Sequence, residues 1–435
     1  MTCVTYCRVM EQHGFKSTPG ITVPEGLPDI SDWTFWTGDR AARAEGFRVL
    51  RDTPGLVKYP EVLLAESPME PGAGYYAVTR HEDVWHVSRN PQLFCSGRGG
   101  VNIGDLPPEL SEFFGSMIAL DDPKHFRLRS IVSKGFTPKH IGEIEDHVTT
   151  VAARLVDEMI EQHPDRRADF VESFAGPFPL AIICEMMGIP PDDHKKVFDW
   201  TNKILGIGDP EFGDTYESLL TAALEINAYA QAIGEERRAN PTDDITSALM
   251  AADLDGDQLT AQEFGSFFIL LVVAGNETTR NSISHGLKAL TDHPDQRALW
   301  FDDYDAHLKT AVDEVVRWAT PVIHFRRTVT EDTEVGGQAL VEGDKVVMFY
   351  ESANRDERVY ERPYEFDITR PLNPGQVGFG AGGPHFCLGA NLARRQIAVA
   401  FDEIRRRLPD LHVTAEPDYL QSNFINGIKR LPCAW

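Results

Sequence analysis

The chain has 435 residues, 42% hydrophobic and 25% charged, the balance of an ordinary globular protein, which excludes disordered and fibrous architectures. Its formal net charge of −25 sets up a field that repels nucleic acid and anionic membrane surfaces as main partners. Six cysteines (Cys3, Cys7, Cys95, Cys184, Cys387 and Cys433) are scattered rather than spaced as a disulfide scaffold, which points to free thiols in a reducing cytoplasm.

Residues 1–30 are expected to form an irregular N-terminal segment, in which Arg8, Glu11, His13 and Lys16 leave no apolar run of the kind a secretory signal needs. Cys3 and Cys7 fall one helical turn apart, but no second Cys/His pair completes a zinc site. Pro, Gly and Thr punctuate residues 17–40, so that stretch is also expected to be irregular. From Ile141 to Gln162, Ile144, Val148, Val151, Leu155 and Met159 recur at spacings of three and four, predicting an amphipathic helix that His163-Pro164 stops. A second helix is expected over Glu217–Arg238. A third starts at Thr260, where Thr260-Ala-Gln-Glu263 has the form of a capping box, and runs to about residue 291. It is apolar nearly all round, as a helix crossing an interior must be, yet its longest apolar run, Phe267–Ala274, is too short to span a bilayer. No integral membrane segment is expected. Thr333–Leu340 and Lys345–Tyr350, joined through Glu342-Gly343-Asp344, read as short strands of a small sheet. With no internal repeat, low-complexity tract or long linker, the expectation is one domain over residues 1–435, mainly α with a minor β region.

Two stretches carry chemistry. In the third helix, Ala274-Gly-Asn-Glu-Thr-Thr279 places polar groups where a purely structural core helix has no use for them. Leu270, Ala274 and Thr278 share one face, and the Thr278 hydroxyl can bond the Ala274 carbonyl while Gly275 weakens the same turn, so a local opening is expected there. Glu277 and Thr278 could then relay protons. Standing alone, the same residues would also suit a crossing detail in a helix bundle.

The second stretch is Phe379-Gly-Ala-Gly-Gly-Pro-His-Phe-Cys-Leu-Gly389, which leads into an amphipathic helix. Its glycines let the backbone take unusual dihedrals and come close to a flat ligand. Cys387 sits where the loop enters the helix, and the first N–H groups of that helix favour a thiolate, a natural iron ligand. A lone Cys-X-Gly would more simply be a small buried residue in a turn.

Phe379, Gly380, Gly383, His385, Cys387 and Gly389 together resemble the haem-binding loop of the cytochrome P450 family. The Phe lies eight residues before the Cys, where many members have seven, and this extension is shared with a mycobacterial subgroup. Ala274-Gly-Asn-Glu-Thr-Thr279 resembles the family's oxygen-activating motif, and Glu314-Val-Val-Arg317 its Glu-X-X-Arg pair. From about residue 30 onward the chain is most similar to mycobacterial methyl-branched lipid ω-hydroxylases and cholesterol side-chain hydroxylases.

The resemblance implies the cytochrome P450 fold, a helical prism around a buried haem b, with Cys387 as the axial iron ligand. It assigns proton delivery to Glu277 and Thr278, and cofactor contact to Ala274, Phe379, Gly380 and Gly389. It matches His125, Arg129, Arg327 and His385 to contacts of the haem propionates, and Glu314, Arg317 and Arg370 to a structural ion group beneath the loop. The implied reaction inserts one atom of O₂ into a terminal C–H bond of an apolar lipid, a methyl-branched fatty acid, isoprenoid or sterol side chain. Electrons would come from a ferredoxin and ferredoxin reductase, docking near Arg394, Arg395, Lys134 and Arg405 on a monomer. A substrate tunnel is expected from segments 101–118 and 174–216 with Leu270, Ala274, Val322 and Phe424. A peroxide-driven haem enzyme and a haem-based lipid or gas sensor are the alternatives on the same fold. The intact Glu277-Thr278 pair speaks against the first, and the second calls for an output domain or an obstructed helix that the sequence does not display.

Overall fold

The computed structural model describes residues 14–65, 67, 69–106, 116–135, 138–212, 215–254 and 257–435; the side chains of 134, 135, 138–145, 253, 254 and 257 lie outside that description. Cys3, Cys7, residues 107–115 of the expected 101–118 tunnel segment and the side chains of Lys134 and Ile144 therefore lie outside the described residues.

The Pro- and Gly-rich stretch before residue 40 is more ordered than its composition suggests. Helix α1 (Trp33–Thr37) starts because Asp32 caps the Thr34 N–H at 2.8 Å, and Asp39 caps α2 (Arg40–Asp52) in the same way. Trp36 then packs against Phe47. Two capping aspartates outweigh the breakers around them. Strand β1 (Phe15–Ser17) is likewise paired, antiparallel to β3 (Val62–Leu64).

A five-stranded sheet lies on one side of the fold. Its order is β2 (Val57–Tyr59), β4 (Tyr75–Val78), β9 (Lys345–Phe349), β6 (His324–Val329) and β5 (Phe94–Cys95). Strand β9 runs parallel to β4 and antiparallel to β6, which corrects the expected pairing of Thr333–Leu340 with Lys345–Tyr350. Instead Thr333–Leu340 folds on itself, β7 (Thr333–Val335) against β8 (Gln338–Leu340). The cause is Gly336-Gly337, with φ of 57° and 82°, a two-residue turn that only such backbones make cheaply.

The helical body comprises α3 (His81–Arg89), α4 (Lys124–Gly135), α5 (Pro138–Gln162), α6 (Pro177–Met186), α7 (His194–Leu205), α8 (Tyr216–Ala239), α9 (Ala261–Asp292), α10 (Tyr304–Ala319) and α11 (Ala390–Arg407), among other elements. Val148, Val151, Leu155 and Met159 form the buried stripe of α5. Helix α9 carries the full reciprocal capping box at Thr260 and Glu263 and is packed by α6, α8, α10 and α11. It runs unbroken through Gly275, so the expected local opening is not found. Gly275 serves packing instead: a Cβ there would lie 3.0 Å from Ile183 on α6, so its absence sets how closely the two helices approach.

Candidate functional site

The cysteine loop closes on itself through the Cys387 N–H, which donates to the Phe379 carbonyl at 3.0 Å. Gly383 has φ of 76°, and a Cβ on it would stand 2.2 Å from the Ser88 carbonyl oxygen, so the loop can lie against α3 only with glycine at that position. The glycine's close approach is thus to protein backbone. Gly389, the N-cap of α11, faces open space on its Cβ side. Cys387 has accessible surface, yet burial pushes its thiol up, so that surface faces an interior hollow. The Gly389 N–H, Arg129 and Arg394 pull the other way. The expectation that helix N–H groups would favour the thiolate is corrected to this extent: in the protein alone, desolvation outweighs them.

Around the hollow stand four basic side chains. The rings of His125 and His385 lie 4.3 Å apart. Burial, then Arg327, His125 and Arg129, push His385 down to about 2, and its Nε2 meets the Ser96 hydroxyl at 3.1 Å. His125 turns Nδ1 to Asp122 at 3.2 Å, which leaves its Nε2 buried without a hydrogen bond. Arg327, on β6, is 4% exposed, and Arg129 donates to the Phe386 carbonyl at 2.7 Å. Among the described residues neither arginine has a carboxylate within ion-pair distance. A buried arginine and a half-buried one without carboxylate partners, beside an imidazole with an unsatisfied Nε2, suit an anionic ligand, and the carboxylates of a flat apolar body would satisfy them.

Across the hollow, α9 is buried on most sides, but Ala274 is exposed and Leu270 and Thr278 are half-buried, the face expected from their spacing. The Thr278 hydroxyl donates to the Ala274 carbonyl at 2.9 Å. Glu277 lies elsewhere on the helix. It is 1% exposed and paired with Arg280, which also donates to Asn202 of α7 at 3.1 Å. Burial pushes the Glu277 carboxyl up, while Arg280 opposes the shift. Sequence reasoning missed Arg280, although its spacing from Glu277 repeats that of Arg317 from Glu314.

Beneath the loop, Arg317 grips Glu314 with two bonds of 2.6 and 2.7 Å, and Arg370 reaches the same carboxylate at 3.3 Å. Arg317 also donates to the carbonyls of Asn354, Pro363 and Glu365, tying that meander to α10.

An apolar cavity of about 360 Å³ is walled by β1 and β3, residues 102–104 and 106, residues 204, 205, 207, 208 and 210, the start of α8, His324 and Phe424. Of the expected substrate contacts, Phe424 lines it. Val322 bridges to Ile425, and Leu270 packs against the main core. Only the end of the 174–216 segment reaches the cavity; Phe174, Phe178 and Ile182 are fully buried core, because their apolar runs pack against α5 and α9. Two ion groups hold the wall in place, and sequence reasoning missed both. Asp105 bonds Arg326 and Lys345, each at 2.7 Å, and Lys345 also bonds Glu61 at 2.6 Å. Lys429 meets Asp209 at 3.1 Å, and Asp209 accepts the Gln421 N–H at 3.0 Å.

A helical body with a cysteine in a glycine-rich loop, arginines near it that have no carboxylate partner among the described residues, and a separate apolar cavity has the make-up of a haem-thiolate protein. Residues 306–408 match the family model described as Cytochrome P450. Over 420 residues, 97% of each chain, the protein is 50% identical to a methyl-branched lipid omega-hydroxylase of Mycobacterium tuberculosis. It is 45% identical to a steroid C26-monooxygenase of Rhodococcus jostii over 82% of this chain and 74% of that one. A Mycobacterium marinum cytochrome P450 solved in complex with pseudoionone superposes with a TM-score of 0.89 at 40% identity, covering 96% of this chain and all of the other. The chain belongs to the cytochrome P450 family. It is an oxidoreductase of the monooxygenase type, working with haem, O₂ and a source of electrons. Among the described residues no helix is long and apolar enough to cross a membrane.

Proposed function

We propose that the protein is a haem b monooxygenase that hydroxylates the terminal carbon of an apolar, methyl-branched lipid, isoprenoid or sterol side chain, drawing electrons from a ferredoxin and its reductase. The observation that carries this is the cavity of about 360 Å³ with largely apolar walls, whose lining residue His324 opens the strand β6 that also carries Arg327. The names of the relatives, a branched-lipid ω-hydroxylase and a steroid C26-monooxygenase, support the same choice of substrate and position.

In this reading Cys387 would hold the iron through its thiolate, Phe379, Gly380, Ala274 and Gly389 would border the cofactor, and His125, Arg129, Arg327 and His385 would take its carboxylates. Bound haem supplies the reductive activation of O₂ that lets one oxygen atom enter a C–H bond. The chain's own contribution is placement and protons. Thr278 Oγ1 would hold a proton on the face of α9 that it shares with Ala274, and Glu277, tethered by Arg280, is the acid one position before it. Apolar walls keep bulk water from competing. Glu314, Arg317 and Arg370 brace the loop from below.

A monomer of one domain in the cytoplasm completes the proposal; the described cysteines are unpaired, as a reducing compartment requires. The arginines proposed for ferredoxin docking already have partners within the chain. Arg394 is bound to Asp313 at 2.9 Å, Arg405 to Asp402 at 2.7 Å, and Arg395 is also engaged. The test is turnover of branched-chain lipids with NADH, ferredoxin and reductase, with product position read by mass spectrometry, in wild type and Cys387→Ser. Loss of the carbon monoxide difference band without loss of fold in the variant, and terminal hydroxyl product in the wild type, are the expected results.

A further inference from the structure

The cavity is more selective in charge than in shape. Among its described lining residues there is no Lys, Arg, Asp or Glu. Its polar groups are neutral, among them Asn102, Gln421 and Ser422. His324 adds no cation: its Nδ1 faces the Asn423 carbonyl at 3.0 Å, which fixes the proton on Nδ1, and burial pushes the ring down to about 4. Cations beside the wall are already committed, Lys345 and Arg326 to Asp105, Lys429 to Asp209, and Lys16 to Glu70 at 2.8 Å. Lys203 precedes the lining residue Ile204 but is not itself part of the wall.

The mouth offers an anion nothing better. Asp29 is exposed and bonded only by its neighbour Ser31, whose side chain lines the cavity, and Glu70 is 81% exposed. A carboxylate would lose its water inside, under the field of a net charge of −25.

Resting on the proposed lipid monooxygenase, we infer that the protein selects uncharged lipids, with an alcohol, ketone or ester at the polar end, against free carboxylates of the same chain. The test is equilibrium dialysis of the haem-loaded protein with one methyl-branched chain supplied as its primary alcohol and as its carboxylate at pH 8, in wild type and Asn102→Lys. Asn102 is an exposed wall residue outside the catalytic machinery, and the substitution adds a cation there. The expected result is at least about tenfold tighter binding of the alcohol in wild type, about 1.4 kcal/mol, with the gap narrowed in Asn102→Lys. Equal or tighter binding of the carboxylate overturns the inference and leaves the lipid reading standing, as does a gap that Asn102→Lys does not change. Failure of both ligands to bind wild type removes the lipid reading and this inference with it.

Discussion

Glu277 and Arg280 form an ion pair one turn apart on α9, each side chain 2% exposed, with one carboxylate oxygen and the arginine Nε left unpartnered. Taking one partner from such a pair strands the other. Arg280→Met is expected to lower the stability of the haem-loaded protein by about 3–5 kcal/mol at pH 7.5, measured by urea unfolding. Burial already pushes the Glu277 carboxyl up, and losing Arg280 pushes it further. A protonated Glu277 needs no partner, so the deficit against wild type should shrink at pH 5.5. Adding Glu277→Gln should recover much of it; a deficit below about 1 kcal/mol would place the pair with ordinary surface bridges.

Thr278 supplies the hydroxyl on the face shared by Leu270 and Ala274. Thr278→Val keeps nearly the same volume and removes the proton it can pass. Product formed per NADH consumed is expected to fall by about a hundredfold or less, with lipid affinity unchanged, since a positioned acid contributes from about a hundredfold upward and water can partly substitute. Equal coupling in variant and wild type would take Thr278 out of proton delivery.

Arg430, on β10 (Ile428–Arg430), pairs with Glu211, next in sequence to the cavity-lining Pro210, and with Asp418, and all three side chains are roughly half exposed. Such contacts are weak and screened by salt. Arg430→Gln should therefore speed lipid release about two- to fivefold in stopped-flow displacement. Wild-type release should accelerate from 0.05 to about 0.5 M salt, and the variant should respond less, because Debye screening has fewer pairs left to weaken.

Acidification should destabilise the protein through two buried imidazoles outside the cofactor hollow. Burial pushes His285 to about 3 and His324 to about 4, both below their value in the unfolded chain. The unfolded state therefore binds more protons, and the stability these groups contribute is full above about pH 6.5 and is lost as pH falls toward those values. Between pH 6.5 and about 5.5 each should remove about 1 kcal/mol, read from urea midpoints. His285→Gln should flatten the slope by about half; a slope unchanged in that variant would assign the loss to other groups.

What the sequence disclosed was what local pattern encodes. The capping box, the stripe of α5 and the cysteine loop are each written within a few turns of chain, and the structure follows them. Gly336-Gly337 was also a local signal, an adjacent pair of turn glycines passed over within an apparent strand. The Asp105 group was out of reach. Its bonds join residues 221 and 240 positions apart, and no periodicity marks which carboxylate will meet which cation. The same holds for the cavity, whose walls come from stretches that only the fold brings together.

Arg129 and Arg327 stand near the adjacent rings of His125 and His385 with no carboxylate within ion-pair distance among the described residues, so an anionic guest held there would bind the folded chain and not the unfolded one. Guest binding and folding are then one equilibrium, shifted by the free concentration of the guest. The unfolding midpoint of the chain should then rise with the free concentration of that guest, which makes thermal stability a direct readout of occupancy.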